Sequence, residues 1–346
     1  MTFSLLDIVQ LLAAYHCTAL ALMLAPKLRL AGLTVMCATF ALHMAFNLGV
    51  GLGLIGPAFD ITSAFGLIYG PAFFLFVRGL ASDQARLRPA TALHALPALI
   101  IAIWQPEPPI PYLFGLPSLV IYIGLAVLTL RHHARLRGEW RSDDHAISLD
   151  WVQHALIAFT LLALLDILRE IIGFTSRALP DDLALAIVII GVTTLLTLMM
   201  RAAREHDARH GALPKLALDM RSPESTADDA ARFSEAYGRI QTLLQQEEAW
   251  REPRLSLAEI AHRLQLNPRD VSRAINLQAQ TSFARFINTY RIDALNALMA
   301  DPANHDRTIM ALAYEVGFNS KSAFNRTYRE LTGKTPTQAF EDAKSA

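Results

Sequence analysis

Thr308-Ile-Met-Ala-Leu-Ala-Tyr-Glu-Val-Gly317-Phe-Asn-Ser-Lys-Ser-Ala-Phe-Asn-Arg-Thr-Tyr-Arg-Glu-Leu-Thr-Gly-Lys-Thr-Pro336 is the stretch on which the reading of this chain turns. Its spacing predicts a helix, a tight turn at Gly317, and a second helix whose open face carries Lys321, Ser322, Asn325 and Arg326. A unit of this kind sets one helix into the major groove of double-stranded DNA. Upstream the chain changes character, and the two halves need separate accounts.

Of 346 residues, 53% are hydrophobic and 18% charged, an apolar excess for a soluble protein. The excess is uneven. Residues 1–200 hold eleven of the 31 basic side chains, leaving twenty for the remaining 146 residues. A formal net charge of +0 therefore carries no whole-chain argument about nucleic acid, and local clusters must supply it. The two cysteines, Cys17 and Cys37, both lie in apolar stretches and read as small core residues, not as a disulfide framework or a zinc site. No basic residue precedes the first apolar run, so that run lacks the charged start of a cleavable leader and is expected to be retained.

Apolar segments recur at about 4–25, 31–55, 60–78, 90–104, 113–130, 151–172 and 183–200, each near the length a helix needs to cross a bilayer. Seven spans are expected, the fourth being the shortest and carrying His94 and Pro97. Basic residues alternate between the loops. Lys27 and Arg29, then Arg78, Arg86 and Arg88, then Arg131, Arg135, Arg137 and Arg141, and finally Arg201 and Arg204 follow spans one, three, five and seven. The intervening loops are nearly empty of them. Positive loops stay in the cytoplasm, which puts the N-terminus outside and the C-terminus inside, as an odd number of spans requires.

From Arg201 to His210 the helix is expected to run on past the membrane until Gly211 and Pro214 stop it. The following residues, through Ser222-Pro223-Glu224-Ser225-Thr226, have linker composition and would reach roughly 25 Å as a flexible coil. The division is thus a membrane domain over 1–203, a helical extension and linker over 204–232, and a soluble domain over 233–346. All of it reads as helix, so the fold class is all-α: a seven-helix transmembrane bundle followed by a helical DNA-binding domain.

Within the soluble part a second helix-turn-helix precedes the first. Ser256 with Glu259 reads as a capping box opening one helix, and Asn267 with Pro268 opens the next. Between the two units the run from Phe283 to Leu298 is amphipathic and reads as a rigid spacer. Paired units, the connecting Phe286-Ile-Asn-Thr-Tyr-Arg291, and Glu315-Val-Gly-Phe-Asn-Ser320 running on through Phe324, Thr332-Gly333 and Thr335-Pro336 together resemble the DNA-binding domain of the AraC/XylS family of bacterial transcription regulators, over about residues 235–342. The resemblance implies that the second helix of each unit reads DNA, through Arg269, Ser272 and Arg273 in the first and Lys321, Ser322, Asn325 and Arg326 in the second. Gln280 stands where the family usually has glycine. Arginine pairs bidentately with guanine and asparagine with adenine, so the residue types suit base reading. The plainer alternative, a solvated helix face, loses ground because two units recur at the right separation.

Ionisable groups inside the apolar spans are few. His43 and Asn47 lie one turn apart in span two, and Asp166, Arg169 and Glu170 share a face of span six. They are the expected lining of a signal pocket, against the alternative that they hold the bundle together. The histidines His16, His43 and His94 show no ligand spacing, and neither a metal nor a cofactor is called for. Nor does the chain carry a phosphate-binding glycine loop, a Gly-x-Ser-x-Gly elbow or a His-Glu-x-x-His motif, so no enzyme is expected.

The expectation is a one-component regulator in the bacterial inner membrane. Its partners would be DNA, the lipid bilayer and an unknown small-molecule or membrane signal, with a homodimer and RNA polymerase contact left open. Its rivals are an intramembrane enzyme or transporter with a regulatory DNA-binding domain, which would need inverted repeats or a catalytic set in the spans, and a constitutive tether of DNA to the membrane.

Overall fold

The computed structural model describes residues 3–81, 89–106, 110–140, 142, 148–175, 181–209 and 227–345, so the basic residues Arg86, Arg88, Arg141 and Arg177 and the linker 210–226 lie outside the described residues. Fourteen α-helices and no strand occur among the described residues. They fall into two compact units, Met1–His133 with Leu149–Ala212 and Ala134–Ser148 with Leu213–Ala346. The stretch joining the fifth and sixth helices therefore belongs with the C-terminal unit, a placement that the linear division of the sequence did not contain.

The first unit contains α1 (Leu5–Leu24), α2 (Ala31–Gly51), α3 (Thr62–Ala81), α4 (Leu96–Trp104), the start of α5 (Ile110–Trp140), α6 (Asp150–Thr175) and α7 (Asp181–Arg209). Six of the seven expected spans are helices long and apolar enough to cross a membrane. The fourth is shorter: Pro89–Ala95 is wound as 3-10 helix and only Leu96–Trp104 is α-helix, with Pro97 at its start, where a missing amide proton costs nothing.

Leu24, Leu33, Met36, Phe76, Val77 and Leu80 fill the centre of this unit. Glycine makes its tightest contact possible. A Cβ on Gly32 would come within 2.1 Å of the Phe76 amide nitrogen, and one on Gly79 within 2.0 Å of the Arg29 carbonyl oxygen. Helices α2 and α3 therefore meet backbone to backbone, as small residues allow in apolar bundles. The outer surface is inverted relative to a soluble protein: Tyr15, Leu22, Ile103, Val120 and Leu161 are all at least 60% exposed. Hydroxyls on these helices turn back on their own backbone, Thr18 to the Ala14 carbonyl and Thr193 to that of Ile189. Such bonds satisfy a polar group without water.

The second unit contains α8 (Ala227–Gln246), α9 (Leu257–Leu264), α10 (Pro268–Gln278), α11 (Phe283–Ala300), α12 (Ile309–Glu315), α13 (Lys321–Thr332) and α14 (Pro336–Ser345). One continuous core joins them, from Phe233 and Ile240 on α8 through Ile260, Ile275, Ile287 and Leu295 to Leu312, Phe324 and Phe340. The starts of α10, α12 and α13 are capped by side chains. Asn267 accepts from the Arg269 amide at 2.9 Å with Pro268 in the first turn, Thr308 from Ala311 at 3.2 Å, and Ser320 from Ala323 at 3.2 Å. At α9 the expected capping box is half made. Ser256 accepts from the Glu259 amide, but the Glu259 carboxylate accepts from Arg263 on the next turn at 3.1 Å.

Candidate DNA-reading surface

Helices α9 and α10 form the first helix-turn-helix, and α12 and α13 the second. Helix α10 packs on α8, where the Arg273 guanidinium lies 5.3 Å from the centroid of the Phe233 ring and Arg232 pairs with Asp270. Arg269 is exposed and Arg273 half-buried. Ser272 departs from expectation: it is 4% exposed and accepts from the Asn276 side chain at 3.4 Å. It faces the core because Val271, Ala274 and Ile275 occupy the same inward arc of the helix. Asn276, one turn beyond Arg273, is exposed.

Helix α13 is anchored by aromatic packing. Phe324 and Tyr328 anchor α13, with Phe324 5.2 Å from Phe318 and 5.9 Å from Tyr328, ring to ring. The Tyr328 hydroxyl donates to Asn296 Oδ1 on α11 at 2.6 Å, and burial raises the pKa of its phenol, which keeps it a donor. With that face committed, Lys321, Ser322, Asn325 and Arg326 are left exposed together, and Arg329 joins them one turn on from Arg326. Arg329 was visible in the sequence only as one more charge on the helix.

Two features fix the turn between α12 and α13. Gly317 has φ +92°, and a Cβ there would meet the Arg251 carbonyl oxygen at 2.6 Å, so both conformation and space demand glycine. Gln280, after the first reading helix, has φ +50°. The conformation that a glycine would adopt freely is present there in a residue with a side chain, at a cost of about 1–2 kcal/mol.

The polar residues of the first unit are paired in ways the sequence left open. His43 Nδ1 and the Tyr69 hydroxyl are 3.0 Å apart, with the imidazole stacked on Phe65 at 5.0 Å. Arg169 donates to Asp166 at 3.1 Å. Asn47 is half-buried one turn from His43, and the Glu170 side chain lies outside the described residues. His16 pairs with Thr197 at 2.9 Å and His94 with Tyr122 at 2.6 Å, so the three histidines each bridge a different pair of helices. Sequence reading missed a further cluster. Lys27 and Arg29 both bond Asp207, at 3.0 and 2.8 Å, fastening the end of α7 to the α1–α2 connection.

The model of the helix-turn-helix domain family matches residues 260–342, the span of both units from within α9 to within α14. This region is an AraC/XylS-type helix-turn-helix domain. Two XylDLEGF operon transcriptional activators of Pseudomonas putida are each 24% identical to the chain over 90 residues. The match takes in 26% of this chain and 28% of each activator, so the chain spans less than a third of the length of these relatives. No solved structure shows a significant match. In the AraC/XylS-type domain here, α10 and α13 are the second helices of the two units, and the exposed basic and amide side chains on them match the chemistry of base edges and phosphates.

Proposed function

We propose that the protein is a membrane-embedded one-component transcription regulator, in which the first unit senses a signal at or outside the membrane and the AraC/XylS-type domain binds promoter DNA in the cytoplasm. One observation carries this reading. Six long helices turn large apolar side chains outward in the same chain that holds an AraC/XylS-type helix-turn-helix domain. In water such a surface would drive aggregation, whereas in a bilayer it is the solvated face.

The fourth segment supports a seventh crossing. Laid end to end, seven residues of 3-10 helix and nine of α-helix extend roughly 27 Å, close to the ~30 Å of a hydrocarbon core. Its Ala98 and Ile101 are buried against Ala64 and Leu67 of α3 while Leu99, Ile100 and Ile103 face outward. Seven crossings with the basic loops inside put the N-terminus outside and the reading helices beside the chromosome.

The test is topological. Fusions of an enzyme active only outside the cytoplasm, placed after Pro108 and after Arg137, are expected to be active at the first site and silent at the second. The reverse result, or recovery of the full chain in the soluble fraction, would reject the arrangement.

A further inference from the structure

Arg291 is among the largest fully buried side chains of the described residues, 1% exposed on the spacer helix α11. A guanidinium taken out of water must have its donors satisfied. Its Nε donates to the Trp250 carbonyl at 2.7 Å, Nη2 to the Glu252 carbonyl at 2.7 Å, and Nη1 to Asn288 Oδ1 at 3.1 Å. A further contact comes from far away in sequence. Nη2 also donates to the Ser142 hydroxyl at 3.1 Å.

Ser142 is not a glancing neighbour. It is 2% exposed, its amide and hydroxyl both donate to the Leu255 carbonyl, at 3.1 and 2.9 Å, and its own carbonyl accepts from Asn288 Nδ2 at 3.2 Å. Every polar group of this residue is used on the AraC/XylS-type side, and Leu136 packs against the same core. The receiving surface is the seam between the two reading heads: Leu255 leads into the first, and the Arg291 guanidinium lies 5.7 Å from the ring centroid of Phe318, in the turn of the second.

We propose that the connection between α5 and α6 is a docking arm that seats on this seam through Ser142, a positioning residue that adds a hydrogen bond to Arg291. The arm gives the regulator a second link to its DNA-binding domain, independent of the linker after α7. A signal that moves α5 or α6 would then act on α11, the helix that sets the separation of the two reading heads. The coupling rests on the membrane-regulator reading above, while the docking itself does not.

The test uses the full chain in membranes. Cysteines replace Asp143, next to Ser142, and Arg254, next to Leu255, neighbours that chain continuity keeps close. A protease site is placed in the linker after Pro214. Treatment with a short bis-maleimide followed by cleavage is expected to leave one joined band, whereas chains with either cysteine alone separate into two. Separation of the doubly substituted chain, with the protein still in the membrane fraction, would overturn the docking arm and leave the membrane reading standing. Loss from the membrane fraction would instead reject that reading and with it the coupling.

Coupling is read by adding a promoter duplex recovered from genome-wide mapping of the protein's DNA contacts. Linkage is reciprocal, so DNA should change the cross-linking rate, and Ser142→Ala should shift affinity for that duplex by about tenfold, the size of one charge-assisted hydrogen bond. A rate indifferent to DNA, together with unchanged affinity in Ser142→Ala, would reduce the arm to a static strut and overturn the regulatory role.

Discussion

The Arg291 guanidinium sits over the ring of Phe318, 5.7 Å from the centroid, while its Nε donates to the carbonyl of Trp250. One buried side chain thereby touches the loop before the first helix-turn-helix and the turn inside the second. Because Gly317 next to Phe318 packs on the Arg251 carbonyl, the same few residues tie both units to one spacer. Under the proposed function, a rigid separation of α10 and α13 would let them address successive turns of one duplex.

Arg326 is expected to read a base. Arg326→Ala should weaken binding to a mapped site by roughly 1–3 kcal/mol and relax specificity at one position, measured by titration of specific and random duplexes. Equal losses on both would assign it to phosphate. If the Arg273→Ala, Arg326→Ala double variant bound like the parent, the reading helices would have been misassigned.

Gly317→Ala should destabilise the C-terminal domain by roughly 2–4 kcal/mol, combining left-handed strain with a clash against backbone that cannot move aside. Urea unfolding of a fragment starting at Phe233 measures this. A loss under about 0.5 kcal/mol would mean that the α12–α13 turn relaxes freely, contrary to its packing on Arg251.

The opposite sign is expected at Gln280. Removing left-handed strain of about 1–2 kcal/mol outweighs the ~0.5–1 kcal/mol that glycine loses in chain entropy, so Gln280→Gly should stabilise by about 0.5–1 kcal/mol. The position is exposed, and little packing is lost. A fall in Tm for this variant would show that the glutamine side chain makes a contribution larger than its strain.

Asp166→Asn preserves shape and removes charge from the pair with Arg169. If this pair lines the signal site, membrane abundance should stay normal while promoter output becomes locked, high or low, across conditions that otherwise change it. Normal response in Asp166→Asn combined with reduced abundance of Asp166→Ala would make the residue structural.

The sequence alone was enough for everything that depends on local periodicity and chain order. Apolar runs of bilayer length, the cap at Asn267, the glycine turn at Gly317 and the paired helix-turn-helix units could all be read from residues close together in the chain. What only the tertiary structure decided depends on rotation and on distance along the chain. Ser272 fell inward because the packing of α10 on α8 selected its buried arc, a choice of a few tens of degrees that an alternating pattern leaves open. Asp207 found Lys27 and Arg29 across some 180 residues, and Ser142 found Arg291 across 149. No spacing rule links such pairs. A buried charge takes its hydrogen bonds from whichever backbone and side chains the folded core brings beside it, and that is settled only once the core has formed.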